Sequence, residues 1–196
     1  MKKLFLLAFI CFSTSAFAQS IKLVSGQLDF LKSEQIIDIK FTYDDLRVGK
    51  MTEEEYVAKK MEDAERKGRD PEAWRNSWIR DRQNTYEPKF IELFDKRMQP
   101  LGIEIFSEGS KYLMHIQTNF IEPGFNVGVA RKSASVSFVA IFIEKETGNE
   151  VAKITVVNSS ANNFLGTDFD SAFRIGECYA KGGRELGAFI VKKLKK

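Results

Sequence analysis

Side chains able to do catalysis are few, and the most distinctive is the single histidine, His115. It lies within an alternating stretch that predicts a strand, residues 112–120, on the face it shares with Leu113, Gln117 and Asn119. A histidine general base needs an orienting carboxylate and a nucleophile nearby, and no local motif supplies either. Gly-x-Ser-x-Gly, His-Glu-x-x-His and glycine-rich phosphate-binding motifs are also missing from the chain. We interpret His115 as a structural or exposed residue.

Aspartate pairs offer a second kind of chemistry. Asp44 with Asp45, and Asp168 with Asp170, could converge in a cleft, and glycoside hydrolysis requires two facing carboxyl groups. Each pair also has a structural explanation. The first follows a predicted strand, and the second precedes a predicted helix, whose N-terminus acidic residues stabilise. We favour the structural explanation and keep the catalytic one as the alternative.

Metal and cofactor chemistry find no support in the sequence. A zinc site built on histidine and cysteine needs more ligands than one His115 and one Cys178 can provide. No acidic segment has the ordered spacing of oxygen ligands that a calcium loop requires. We therefore predict no metal and no cofactor.

The first residues have the order of a secretory signal peptide. Lys2 and Lys3 precede an apolar run, residues 4–12, and Ala16-Phe17-Ala18 has the small-residue spacing of a cleavage site. The run is too short to span a bilayer as a retained helix. We expect residues 1–18 to be removed and the protein to be exported, to the periplasm or the outer membrane of a Gram-negative bacterium.

The two cysteines bear on anchoring and redox state. Cys11 follows Ile10, where a lipobox would have a small residue, so the sequence argues against a lipid anchor. Cys178 would then be the single cysteine of the mature chain and could form no internal disulfide. We interpret it as a buried, inert thiol; an intermolecular bridge is the alternative.

Composition bounds the size and the partners of the mature chain. Residues 19–196 suffice for one domain with a substantial core. The formal net charge of +3 falls close to neutrality without Lys2 and Lys3, which argues against nucleic acid as a partner. Residues 62–82 interleave arginines with Trp74 and Trp78, but acidic residues cancel those charges, which indicates a solvated face over a tryptophan-anchored core.

Hydrophobic periodicity predicts an α+β fold, in which helices pack mainly on one face of an antiparallel sheet, in the order β-β-α-α-β-β-β-β-α. Thr52 with Glu55 forms a capping box that opens a helix, and Asp70-Pro71 opens another, which Pro88 kinks or restarts. The predicted strands are residues 26–31, 36–43, 103–106, 112–120, 135–143 and 151–157, with a hairpin turn over 144–150.

The last helix is the most strongly patterned element. Apolar and small residues fall at three- and four-residue steps along one face, and that face includes Gly176, Gly183 and Gly187. Glycine costs a helix up to about 1 kcal/mol relative to alanine. We predict that the glycines permit close approach to a sheet or to another helix.

The C-terminal segment resembles a known group of proteins. Asp168-Phe169-Asp170, Arg174-Ile175, Tyr179 and Gly183-Arg184-Glu185-Leu186-Gly187 resemble the last helix of exported proteins of unknown function common in Bacteroidetes. The hairpin around Glu146-Thr147-Gly148 is similar to that of small envelope lipoproteins with an anticodon-binding-like fold. The resemblance implies the fold and an envelope location, and no activity.

Two loops are candidates for binding. Residues 121–132 contain Phe125 and Asn126, and residues 158–168 contain Asn162, Asn163 and Phe164. Loops longer than a simple connection are often functional, although these aromatic residues could instead cover the end of the core. We predict a non-catalytic exported protein that binds an envelope protein or a small ligand through these loops. The alternative is a carboxylate-dependent hydrolase acting on envelope glycans. The sequence therefore leaves enzymatic activity open and favours its absence.

Overall fold

A computed structural model describes residues 19–106, 109–127, 130–161 and 171–195; the predicted signal peptide lies outside these residues. The α+β class is confirmed: an eight-stranded sheet carries helices on one face, and a two-stranded hairpin stands apart. The helices are α1 (Glu53–Arg66), α2 (Pro71–Asp81), α3 (Glu87–Met98) and α4 (Ser171–Leu194). The strands are β1 (Ser20–Gly26), β2 (Ile36–Thr42), β3 (Arg47–Val48), β4 (Met51–Thr52), β5 (Glu104–Phe106), β6 (Tyr112–Glu122), β7 (Phe125–Val127), β8 (Ala130–Lys132), β9 (Ser135–Glu144) and β10 (Glu150–Ser159).

The sheet is mixed, which refines the antiparallel prediction. Its main path runs β1-β10-β9-β6-β2-β5, in which β10, β9 and β6 are antiparallel as predicted and β1, which was not predicted, is antiparallel to β10. In contrast, β2 pairs in parallel with both β5 and β6. The reason is the connection: α1, α2 and α3 lie between β2 and β5 in the chain and return it to the starting end of the sheet.

The strand predicted over residues 26–31 is wrong. β1 ends at Gly26, where φ is +76°, and a short 3-10 helix follows at Asp29–Ser33. Leu28 and Leu31 are both buried. Their three-residue spacing suits one turn of a tight helix, and strand alternation would have placed them on opposite faces.

Both predicted helix starts are confirmed. The Thr52 hydroxyl accepts from the Glu55 backbone N–H at 3.2 Å, and the Glu55 carboxylate accepts from the Thr52 N–H at 2.9 Å. Asp70 accepts from the N–H groups of Glu72 and Ala73 at 2.9 and 3.2 Å. These bonds satisfy donors that a helix N-terminus leaves without intrahelical partners.

Pro88 perturbs the helical segment ahead of its own position. A π-turn, Arg82–Tyr86, separates α2 from α3, and the Glu87 N–H donates to the Arg82 carbonyl. Pro88 has no N–H and lies in the first turn of α3, so the preceding chain widens by one residue. The predicted second helix is therefore two helices joined by this turn.

The glycines of α4 permit close helix packing, as predicted. A Cβ on Gly183 would overlap the backbone carbonyl of Phe90 in α3, and one on Gly187 would lie 2.6 Å from the Arg97 Cβ. Gly182, on the neighbouring face, lies against the Phe138 ring of β9. The three contacts set α4 directly on α3 and on the sheet.

The core lies between α3, α4 and the sheet. Side chains of β9 alternate: Val136, Phe138, Ala140 and Phe142 are at most 1% exposed on the helix side. Each large apolar side chain buried in this way contributes roughly 1.5–3 kcal/mol to folding. This layer fixes which ends and faces of the sheet stay accessible.

Candidate functional site

Both candidate loops leave the same end of the sheet. β6 ends beside the start of β9, with Glu122 opposite Ser135, and β10 ends there too, with Ser159 opposite Val136. Because β9 is antiparallel to both neighbours, its first residues meet the last residues of β6 and β10. Segments 121–132 and 158–168 therefore start side by side.

Three hydrogen bonds tie these loop bases to each other and to α4. The Ser160 hydroxyl donates to the Ala134 carbonyl at 2.7 Å, which joins the two bases directly. The Lys181 ammonium donates to the Ser160 carbonyl at 2.8 Å, and the Arg174 guanidinium donates to the Pro123 carbonyl at 3.2 Å. One helix thus supports both candidate loops.

The first loop contains a hairpin that sequence analysis treated as irregular. β7 and β8 pair antiparallel, with Phe125 opposite Lys132. At its base, Gly124 has φ of +66°, and a Cβ there would lie 2.6 Å from the Ala134 backbone nitrogen, so only glycine fits. The Glu122 carboxylate accepts from the Gly124 N–H at 3.2 Å and pairs with the Lys132 ammonium. These contacts order the hairpin base.

The predicted binding residues fall into two groups. Phe125 opens β7 and is 45% exposed, a high fraction for a large apolar side chain. Asn126 lies opposite Arg131 in the hairpin register. Asn162, Asn163 and Phe164 lie outside the described residues, so their role stays a prediction.

Of the two aspartate pairs that the hydrolase hypothesis requires, the structure describes one. Asp44 and Asp45 follow β2, as predicted, and Asp45 has φ of +55°. With Glu53 and Glu54 they line a cavity of about 520 Å³ at the start of α1. Asp168 and Asp170 lie outside the described residues, and the convergence that a hydrolase would require remains a hypothesis.

His115 points away from the helices and is half-buried. Its Nε2 lies 2.9 Å from the Thr42 hydroxyl. Burial, followed by the charge of Lys40, lowers the pKa of the imidazole, and Asp44 opposes this shift. The contacts of His115 among the described residues fit the structural interpretation.

A polar network beneath α3 was missed by sequence analysis. The Tyr43 hydroxyl donates to the Glu87 carboxylate at 3.2 Å, and the Arg82 guanidinium lies 4.2 Å from the centre of the Tyr43 ring. Burial raises the pKa of Glu87, although the bond from Tyr43 opposes the shift. Tyr43 is distant in the sequence from Arg82 and Glu87, so no local pattern could have revealed this network.

Two tyrosines stack beside that network. The Tyr86 and Tyr179 rings are parallel, with centroids 5.3 Å apart, and the Tyr179 and Thr118 hydroxyls lie 2.7 Å apart. The Tyr86 hydroxyl is buried without a hydrogen-bond partner among the described residues. An unpaired buried hydroxyl costs roughly 1–3 kcal/mol of folding free energy.

The tryptophan-anchored core predicted for residues 62–82 is confirmed. Trp78 is 3% exposed, and its ring is parallel to that of Trp74 at 6.0 Å. The Trp78 indole N–H donates to the Glu53 carboxylate at 2.5 Å, and Glu53 also pairs with Arg82. The indole polar group is thereby satisfied inside the core.

The described segments contain neither a metal-binding cluster nor a membrane-spanning helix. No group of three or more His, Cys, Asp or Glu side chains there is placed to hold a metal ion. Of the helices described, none is long and apolar enough to cross a membrane.

Comparisons with known proteins give no family. No family model matches the chain, and no curated protein matches it. A PelC dodecamer structure from Paraburkholderia phytofirmans is similar at 9% identity and TM-score 0.39, over 83% of this chain and 97% of that chain. A putative neuraminyllactose-binding hemagglutinin homolog from Helicobacter pylori is similar at 12% identity and TM-score 0.38, over 88% of this chain and 93% of that chain. A DUF330 protein from Xanthomonas campestris is similar at 15% identity and TM-score 0.35, over 52% of this chain and 59% of that chain. TM-scores this low support no transfer of function.

Proposed function

We propose that this is an exported, non-catalytic binding protein that recognises an envelope protein or a small ligand with the sheet end from which segments 121–132 and 158–168 leave. The observation that carries the proposal is the shared anchoring of the two loops. Ser160 bonds to Ala134, while Arg174 and Lys181 of α4 hold one loop base each. A rigid scaffold beneath long loops is the usual arrangement of a recognition site.

The exposed Phe125 side chain gives this sheet end an anchor for binding. Aromatic residues supply large apolar contact area and are enriched among the residues that dominate binding energy. Phe125 follows the fixed turn at Gly124, so its backbone is held in place before a ligand arrives. Pre-organisation of this kind reduces the entropy lost on binding.

The test is a pull-down of the tagged mature protein from envelope extract, with two matched variants. Phe125→Asp removes the proposed anchor. Ile79→Asp places the same charge on α2 at a side chain that is also 45% exposed. We expect a partner that is recovered by the wild type and by Ile79→Asp and is lost from folded Phe125→Asp. Equal recovery by all three proteins would reject the proposal.

A small ligand is tested with the same variants. Thermal shift of the three proteins against soluble envelope glycans should raise the melting temperature of the wild type and of Ile79→Asp only, because a bound ligand stabilises the folded state. Turnover of a glycan that is lost in Asp44→Asn would instead establish the alternative, a carboxylate-dependent hydrolase.

A further inference from the structure

The second face of the sheet carries an aliphatic stripe with nothing packed on it among the described residues. Val139, Ile141 and Ile143 alternate along β9 with the buried residues that face α3 and α4. They are half-exposed, and none belongs to the hydrophobic core or packs against it. Leu113 of β6 lies opposite Ile143 and extends the stripe. Within the described segments, α4 packs only on the other side of β9 and β10.

The strand register places Lys22 and Lys40 on opposite sides of this stripe, and it places Lys153 of β10 directly opposite Ile141. Ile141 lies opposite His115 of β6, which lies beside Lys40 of β2. On the other side, Val139 lies opposite Thr155 of β10, which lies opposite Lys22 of β1. Paired residues point to the same face, so Lys22 and Lys40 flank the stripe from two strands away. We call this surface, formed by Leu113, Val139, Ile141 and Ile143 with Lys22 and Lys40, the open face.

The charges of the open face favour an anionic partner. Lys22 and Lys40 are exposed, and neither forms an ion pair with a described residue. The carboxylates of the same side that border the stripe are already paired, Asp38 with Lys145 at 2.5 Å and Glu150 with Lys153 at 2.9 Å. Glu104 of β5 has no lysine partner among the described residues and lies beyond β2, on the side away from β9. Asp44 follows β2 and lies near enough to His115 to act on its pKa.

The spacing between the lysines fits a helix. Neighbouring strands are about 4.8 Å apart, so β1 and β2 each lie roughly 10 Å from β9. An α-helix with its side chains is about 10–12 Å across and would lie along β9 between the two lysines. Acidic side chains on both flanks of such a helix could then reach Lys22 and Lys40.

We infer that the open face binds an amphipathic helix of a partner protein, with an apolar stripe along β9 and acidic residues on both flanks. The apolar stripe would cover Val139, Ile141 and Ile143, as α3 and α4 cover the other side of the same strand. This inference concerns a different surface from the sheet end that carries segments 121–132 and 158–168, and it does not depend on the function proposed above.

Other occupants fit the open face less well. Membrane-surface sites use tryptophan and tyrosine at the headgroup level, and the described part of this face has neither. A second copy of the chain, packed face to face, would bring its own Lys22 and Lys40 to a surface whose bordering carboxylates are already paired. A membrane surface would find no aromatic anchors on the described part of this face, and a second copy would leave the charges of Lys22 and Lys40 uncompensated.

The test uses two designed helical peptides of about 22 residues, because a helix of that length matches the roughly 33 Å span of the ten-residue strand β9. Both peptides carry the same leucine stripe. One has glutamates on the two flanks of that stripe, and the other has lysines there. Fluorescence anisotropy with the full mature protein should show the glutamate peptide binding at least about tenfold more tightly, since like charges disfavour the other. The double variant Lys22→Glu/Lys40→Glu, at two exposed positions, should reverse this preference.

Two further variants make the test specific to the open face. Ile141→Glu should abolish binding of the glutamate peptide, whereas Ile79→Glu, on the helix side, should leave it unchanged. Equal affinities for both peptides, or an unchanged preference in the double variant, would overturn the inference. Binding to vesicles of anionic phosphatidylglycerol that needs the two lysines would assign the face to lipid and overturn it. A wild-type dimer dissociated by Ile141→Glu would do so in favour of a second copy.

Discussion

The Ser160 hydroxyl lies 2.7 Å from the Ala134 carbonyl and joins the chain segments that lead into two separate loops. Ala134 directly precedes β9, and Ser160 directly follows β10. Through Lys181, which bonds to the Ser160 carbonyl, α4 supports the same junction. The proposed recognition site depends on this junction because it fixes where both loops begin.

Ser160→Ala should lower the free energy of unfolding by about 1 kcal/mol, the usual contribution of one hydrogen bond, because the partly buried Ala134 carbonyl loses its donor. Ser33→Ala is the matched control: its hydroxyl donates to the Phe30 carbonyl at 3.0 Å in an exposed turn, where water can replace it. Urea denaturation measures both. A loss for Ser33→Ala as large as that for Ser160→Ala would contradict the role of the junction.

Gly183→Ala should destabilise the fold by roughly 1–3 kcal/mol, the usual cost of overpacking, because the new methyl group would overlap the rigid Phe90 backbone. Gly176→Ala is the comparison. Its methyl group would meet the side chains of Thr85 and Lys89, of which the lysine can move, so the loss should be smaller. Thermal or urea unfolding gives both values, and the opposite ranking would show that α3 and α4 do not pack as closely as described.

His115 should make stability fall in mild acid. Its pKa is lowered in the folded state by burial and by Lys40, so the unfolded chain binds a proton more readily. The free energy of unfolding should therefore decrease as the pH falls through about 6.5, the ordinary histidine value, and this contribution should level off below the folded pKa. His115→Gln should remove this part of the slope. Parallel stability curves for the two proteins across this range would show that the imidazole is not perturbed.

Cys178 should be unreactive in the native protein. It is buried in α4, and burial raises the pKa of its thiol to about 11. Thiol reagents attack the thiolate, so labelling at neutral pH should require unfolding. Native labelling with Ellman's reagent should be slow and become fast in urea. Rapid labelling without denaturant, or a disulfide-linked dimer without reductant, would support the intermolecular alternative.

Much of the fold could be predicted because local patterns determine it. The capping residues Thr52 and Asp70 were sufficient to place two helix starts, and the alternation in β6, β9 and β10 was sufficient to place three strands. The glycines of α4 indicated close packing before any partner was known. The parallel pairing of β2 was missed because it depends on the path of the chain between strands, which no local pattern records.

The site could be predicted only in part. Segments 121–132 and 158–168 were found from their length and composition, but their common anchoring by Arg174 and Lys181 is a tertiary relationship. The network of Tyr43, Arg82 and Glu87 likewise joins distant residues. The open face was missed because its character depends on which strands are neighbours, and alternation within a single strand does not specify its neighbours in the sheet.

The most direct test of binding at the sheet end that carries segments 121–132 and 158–168 is photo-crosslinking at two positions in cells that export the protein. Benzoylphenylalanine is introduced at position 125 in one protein and at position 79 in the other, where the natural side chains are equally exposed, at 45%. We predict a discrete crosslinked product from position 125 and none from position 79. The same product from both positions, or none from position 125, would contradict binding at this end of the sheet.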